Sequence, residues 1–159
     1  MKSAEHKRAA QGTKTVAAKL FRLLDKKRGY DSDDALAAEL VRDSNPDQVV
    51  KKRTLDKRQA TPLHLAVKRG CQDTVEALIH ARADPDDGDI LFGRTPFWEA
   101  ASFGHVALLK RLLVARADPN ITPTRGPSTG WTPLDIAKKQ GRTDAEVLLR
   151  SLEEGSTGR

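Results

Sequence analysis

Large aromatic side chains are scarce in this chain: four Phe, two Trp and one Tyr make up 4 % of its 159 residues. Thick sandwiches and barrels are rich in such side chains. Their scarcity, beside 38 % hydrophobic and 31 % charged residues, favours an elongated all-helical protein with a thin core of Leu, Val and Ala. Cysteine is scarcer still. Cys71 stands alone, which excludes an internal disulfide and is compatible with a reducing compartment. Long apolar runs are also missing: Leu112 to Ala115 is typical of the longest, far short of the roughly 20 residues that span a bilayer. No positive-then-apolar stretch opens the chain, so it reads as soluble and without a secretory signal. A chain of 159 residues suffices for one compact domain and not for two ordinary ones.

An acidic balance is absent too. The formal charge is +6, and it is unevenly placed: residues 1–60 carry 15 Lys or Arg against 9 Asp or Glu, whereas residues 61–159 carry 13 of each. All the net positive charge therefore lies in the N-terminal part. Such a distribution suits an anionic partner, or simply a solvated surface. The first 30 residues hold nine Lys or Arg against Glu5 and Asp25, which resembles the composition of an organelle-targeting segment. The expected location is intracellular, cytoplasmic or nuclear, with organelle import as the alternative.

What the chain does have is self-similarity at a fixed period, the mark of stacked repeats. Thr61-Pro62-Leu63-His64-Leu65-Ala66-Val67-Lys68-Arg69-Gly70 returns as Thr95-Pro96-Phe97-Trp98-Glu99-Ala100-Ala101-Ser102-Phe103-Gly104. It returns again as Thr132-Pro133-Leu134-Asp135-Ile136-Ala137-Lys138-Lys139-Gln140-Gly141. Ala81-Arg82-Ala83-Asp84-Pro85-Asp86 likewise comes back as Ala115-Arg116-Ala117-Asp118-Pro119-Asn120. In each unit Thr-Pro starts a helix, since the hydroxyl caps free amides and proline fits the first turn, where its missing donor costs nothing. Gly70, Gly104 and Gly141 end it, because glycine takes a left-handed conformation without steric penalty. A second helix follows, with Val75, Leu78 and Ile79 on one side in the first unit and Leu108, Leu109, Leu112 and Leu113 in the next. Neither pair buries that stripe alone, so neighbouring pairs must stack.

These residues resemble the ankyrin-repeat family. Thr-Pro-Leu-His-Leu-Ala at 61–66 is similar to the ankyrin signature almost letter for letter, and the Gly104-His105 pair and the Ala-Asp-Pro-Asn ending at 117–120 fit it as well. The resemblance covers residues 56–152 and implies an all-α solenoid of stacked helix-turn-helix units with projecting hairpin-like loops. The chain departs from the pattern at Gln59, where the family usually has the glycine that Gly93 and Gly130 keep. Arg82 and Arg116 occupy the usual glycine position after the second helix; if that position keeps a left-handed backbone, each arginine costs roughly 1 kcal/mol there.

Ahead of the clear units, Thr15 to Arg28 and Asp33 to Arg42 read as helices, and Asn45-Pro46 falls where the repeats have Asp-Pro. The expected organisation is a flexible N-terminus at 1–12, a helical cap or degenerate repeat at 13–55, ankyrin repeats at 56–152 and a flexible tail at 153–159. Lys138 stands where Val67 and Ala101 face the following repeat, as suits the last unit of a stack. The linkers Asp43 to Ala60, Asp86 to Arg94 and Asn120 to Trp131 are the expected fingers, the last enlarged and stiffened by Pro123 and Pro127.

The resemblance implies a non-catalytic protein–protein interaction module or adaptor, monomeric when free, that binds through its concave face and finger loops. Carried over by position, that surface comprises Lys57, Arg58, Lys68, Arg69, Leu91, Phe92, Arg94, Ser102, Phe103, Trp131, Lys139 and Gln140. Aromatic anchors among Arg and polar residues are the usual hot spots of protein interfaces, which singles out Phe92, Phe103 and Trp131. The bland reading has Phe92 packing within its finger and Trp131 covering the adjacent repeat. Trp98 replaces the signature histidine and is expected to pack at a repeat junction.

Catalysis needs a nucleophile or acid–base pair in a site that excludes water, and none is evident. His64 belongs to the signature, its ring expected to bond backbone or the Thr61 hydroxyl. Cys71 shares a repeat position with His105 and Arg142 and reads as a repeat substitution. No zinc or phosphate-loop spacing is present, and the acidic turn Asp84, Asp86, Asp87, Asp89 lacks the glycine and terminal Glu of a calcium loop. No enzyme, cofactor or metal is expected. Two other readings stand beside a protein partner with an acidic surface. One is a structural subunit of a large complex. The other is phosphate-directed binding of nucleic acid or an RNA-containing assembly through the basic N-terminal part, with Lys51, Lys52 and Arg53 as its patch; that segment lacks an aromatic stacking platform.

Overall fold

The computed structural model describes residues 16, 18–24, 34–45, 49, 50, 53 and 58–156. Residues 18–24 are helical and are followed by α1 (Asp34–Arg42), α2 (Pro62–Arg69), α3 (Gln72–His80), α4 (Pro96–Phe103), α5 (Val106–Val114), α6 (Pro133–Lys139) and α7 (Thr143–Ser156). No strand occurs among the described residues. Lys57, Lys51, Lys52 and the N-terminus at 1–12 lie outside them.

The Thr-Pro starts act as their chemistry requires. The hydroxyls of Thr61, Thr95 and Thr132 accept the amides of His64, Trp98 and Asp135 at 3.4, 3.2 and 3.1 Å, and proline fills the first helical position each time. At the other end the helices close by paired amides: Gly70 N to Val67 O at 3.0 Å with Cys71 N to Ala66 O at 3.0 Å, repeated after α4 and α6. The second helices close the same way, with Arg82 N to Ile79 O and Ala83 N to Leu78 O both at 2.9 Å. This closure needs a left-handed residue. Glycine supplies it at Gly70, Gly104 and Gly141, but Arg82 (φ 62°) and Arg116 (φ 66°) supply it after α3 and α5, and Gln59 has φ 47°.

Helices of 8 or 9 residues fall below the roughly 12–15 at which an isolated helix is even marginal, so stacking must hold them. The first helices α2, α4 and α6 lie side by side in one layer, and α3, α5 and α7 in a second; α1 extends the second layer by packing on α3. Between the layers runs one continuous core containing Leu63, Val67, Leu78, Phe97, Leu109 and Leu112, to which Leu20, Leu24 and Val41 of the N-terminal elements also belong. Each such fully buried side chain contributes about 1.5–3 kcal/mol.

Two features differ from expectation or add to it. Helix α7 runs past Leu152 to Ser156, so most of the segment expected as a flexible tail is helix. The start of α3 is capped from a different unit. Its own N-cap residue, Cys71, makes no side-chain cap, and the Asp34 carboxylate accepts Asp73 N at 3.0 Å, Thr74 N at 2.8 Å and Thr74 Oγ1 at 2.6 Å.

Candidate partner-binding surface

The fingers stand against one another through backbone hydrogen bonds. Ile90 N donates to Arg58 O at 3.1 Å, and Thr124 N donates to Phe92 O at 3.0 Å, so each linker is bonded to the next. A tight turn shapes the middle finger, with Asp89 N to Arg94 O at 2.9 Å and Gly93 N to Asp89 O at 2.8 Å. The Asp89 side chain accepts Phe92 N at 2.6 Å from inside this turn.

Arg58 is placed differently from the sequence-based expectation. Its guanidinium turns into the stack, donating to Asp89 Oδ2 at 2.9 Å and to Glu99 Oε1. The two carboxylates are 0 % and 4 % exposed, against 23 % for the Arg58 side chain. Burial opposes charge on Arg58, but the hydrogen bonds to Glu99 and then Asp89 outweigh it, and its pKa is raised from the ordinary arginine value. An arginine held in this way braces two repeats, with its Nη2 committed to two buried carboxylates. Glu99 was the signal for it: the repeat places Leu65, Glu99 and Ile136 in register, and a carboxylate at an apolar position needs an internal cation.

Beneath this pair lies His64. Its Nδ1 accepts from the Thr61 hydroxyl at 2.8 Å and its Nε2 donates to Arg94 O at 2.7 Å. Burial pushes its pKa below the ordinary histidine value, against the opposing pull of that Arg94 carbonyl. Trp98 is also internal, donating Nε1–H to Trp131 O at 3.0 Å across the repeat junction. Arg94 lies with its guanidinium carbon 4.4 Å from the Phe92 ring centroid and 4.8 Å from that of Trp98, close enough for cation–π attraction. Phe92 itself is half-buried and its ring lies against Gly126, where an added Cβ would sit 2.7 Å from the ring. Phe92 thus lies against the neighbouring finger at Gly126.

Arg53 reaches the middle finger as well, donating to Asp87 Oδ1 at 2.5 Å and to Gly88 O at 3.2 Å. Of the basic patch this is the residue whose place is described, and its charge is matched. The acidic turn is similarly committed: Asp84 and Asp118 accept the amides of Asp86 and Asn120, each at 2.9 Å, and Asp86 accepts Asp118 N at 2.9 Å. Among the described residues no group of three or more His, Cys, Asp or Glu is placed to hold a metal.

The remaining expected positions are on the surface. Lys68, Arg69, Lys139 and Gln140 are exposed, Ser102 and Trp131 half-buried, and Leu91 and Phe103 each 37 % exposed. Sequence reasoning missed three neighbours. His105 stacks on Phe103 with ring centroids 6.0 Å apart; Ile90 is exposed beside Leu91 at the finger tip; and Arg125 donates to Ile90 O at 3.1 Å. A separate groove of about 420 Å3 lies between α3 and α5 on the other layer, lined by Ile79, His80, Lys110 and Val114.

Residues 58–90 and 92–123 match the ankyrin repeat family, and the copy beginning at Thr132 has the same cap although it lies beyond the matched stretches. These stretches are ankyrin repeats, a kind of repeat that generally mediates protein–protein interaction. It is 40 % identical over 98 residues to ankyrin repeat and SOCS box protein 10 of Homo sapiens, covering 61 % of this chain and 20 % of that protein. It is 36 % identical over 94 residues to the putative ankyrin repeat protein FPV031 of fowlpox virus, covering 57 % of this chain and 27 % of that protein. Glycerophosphocholine phosphodiesterase GDE1 of Candida albicans is 34 % identical over 95 residues, covering 60 % of this chain. The chain spans only 8 % of the last and 27 % of the fowlpox protein, so the likeness is one of repeats. Among the described residues no helix is long and apolar enough to cross a membrane.

Proposed function

We propose that this chain is a non-catalytic adaptor that binds a partner protein with an acidic surface through its finger tips and the exposed side of α2, α4 and α6. One observation carries the reading: on that side the acidic groups Asp89 and Glu99 are turned inward onto Arg58, while on α2, α4 and α6 Lys68, Arg69, Lys138 and Lys139 are exposed against the single exposed carboxylate of Asp135, with Phe103 exposed among them. A surface left basic and studded with one aromatic side chain attracts carboxylates at long range and gives an apolar anchor at contact. Arg53, committed to Asp87, weakens the case for phosphate-directed binding through the N-terminal patch.

The test is site-directed photo-cross-linking in the source cell, with p-benzoylphenylalanine in place of Phe103 on the proposed face or of Lys110 on the opposite layer. A discrete protein captured from residue 103, insensitive to nuclease and absent from residue 110, supports the adaptor reading. Capture from residue 110 alone, or capture abolished by nuclease, overturns it.

A further inference from the structure

We infer that the partner segment seated on this face is a short, extended, acidic stretch of polypeptide with one apolar side chain at its centre. The inference rests on the adaptor reading above and adds the chemistry of the occupant. Packed helices lie about 8–10 Å apart, so the path from Lys68 on α2 across Phe103 on α4 to Lys139 on α6 is roughly 20 Å. That is the length of about six residues of extended chain at ~3.3 Å each.

Along this path the side chains read basic, apolar, basic. Lys68 is exposed at one end. In the middle, Phe103 is 37 % exposed and backed by His105. At the far end Lys138 and Lys139 border a shallow, open hollow with Trp131 and Asp135. Neighbouring repeats are tied together beside this path, since His105 Nε2 lies 3.5 Å from Lys68 O and Arg142 Nε donates to Ser102 O at 3.2 Å.

The carboxylates on these three helices do not cancel that charge pattern. Glu99 is buried against Arg58. Asp135, exposed and beside Lys138 and Lys139, accepts both Thr132 N and Thr132 Oγ1 at 2.9 Å and offsets one of the two lysines, leaving a surplus of one positive charge at that end. Carboxylates near both ends of a segment therefore meet a net positive charge, from Lys68 at one end and from two lysines against Asp135 at the other, and a central Leu or Phe meets the Phe103 ring. Beside the path the exposed finger tip is aliphatic, Ile90 and Leu91, which suits protein side chains better than the flat bases of a nucleic acid.

The experiment measures anisotropy of fluorescein-labelled heptapeptides binding to the full chain. Peptides carry Asp and Glu at both ends or Lys at both ends, with Leu, Phe or Ser at the centre; a uridine heptanucleotide is the phosphate probe. The acidic peptides with a Leu or Phe centre bind at least about ten-fold more tightly than the Ser-centred or Lys-ended ones, a size typical of one anchor or of paired charges. Combining Lys68→Glu with Lys139→Glu reverses the preference toward Lys-ended peptides, Phe103→Ala abolishes the preference for Leu over Ser, and Lys110→Glu changes neither. Circular dichroism confirms that these surface variants fold. Equal binding of acidic and Lys-ended peptides, an unchanged Leu preference in Phe103→Ala, or tighter binding of the oligonucleotide than of any peptide overturns the inference. Failure of every heptapeptide while residue 103 still cross-links a protein removes the short segment and leaves the adaptor reading standing. Cross-linking from residue 110 alone removes both.

Discussion

Replacing Arg82 and Arg116 by Gly stabilises the fold. Both arginines sit in left-handed backbone, φ 62° and 66°, with exposed side chains, at the residue whose amide closes α3 or α5. A Cβ in that region costs about 1–2 kcal/mol, and the added freedom of glycine in the unfolded chain returns about 0.4–1 kcal/mol of the gain. The net is about 0.5–1 kcal/mol per site. The two turns lie one repeat apart and are joined downstream by Asp118 N donating to Asp86 Oδ1, a contact that neither substitution removes, so the two effects add to about 1–2 kcal/mol. For a chain of this size that raises the thermal midpoint by about 3–6 °C. The assay is thermal and urea unfolding followed by far-UV circular dichroism, with Arg82→Ala and Arg116→Ala as controls that remove the charge but keep the Cβ. The alanine variants gain little, because alanine meets the same steric conflict. A glycine double variant with an unchanged midpoint, or an alanine pair that gains as much as the glycine pair, refutes the reasoning.

Two further outcomes follow from the buried groups and the enlarged finger. Burial lowers the His64 pKa in the folded protein, so below about pH 6.5 the unfolded chain takes up the proton first. Stability then falls as pH drops from 7.5 toward 5.5, by up to ~1.4 kcal/mol per unit, and urea titrations of His64→Asn lose that slope. In the last finger, Gly126→Ala and Gly130→Ala share positive φ, 85° and 76°, but only the first drives a Cβ into the Phe92 ring. Gly126→Ala is the more destabilising by about 1–2 kcal/mol in the same unfolding assay; equal costs would show that Phe92 yields freely.

The helix framework was legible because its determinants are local. Thr-Pro, the closing glycines and the apolar spacing act within one turn, and the repeat shows each of them three times. The Arg82 and Arg116 conformations were legible conditionally, since they share a register with glycine in the family pattern. The interior of the candidate surface was not. Arg58 reads as an exposed finger cation until Asp89 and Glu99, 31 and 41 residues away, are folded against it. Phe92 is singled out by sequence as an aromatic anchor and Arg94 as a surface contact, and only the fold sets Arg94 over the Phe92 and Trp98 rings and Phe92 against Gly126. The polar composition of residues 153–159 suggested a tail, but α7 continues through it to Ser156.

The carboxylate of Asp34 gives the chain a grammar that identical modules would lack. Because the side chain completing α3 comes from a helix 40 residues earlier, the first recognisable repeat is unfinished by itself. Cutting at the edge of the repeat pattern would sever a helix from its own cap and strip Val41 from the core beneath. The folding unit therefore begins upstream of the similarity. A fusion, a truncation or a transplanted repeat drawn from this chain has to carry Asp34 with it, or replace it with a cap of its own.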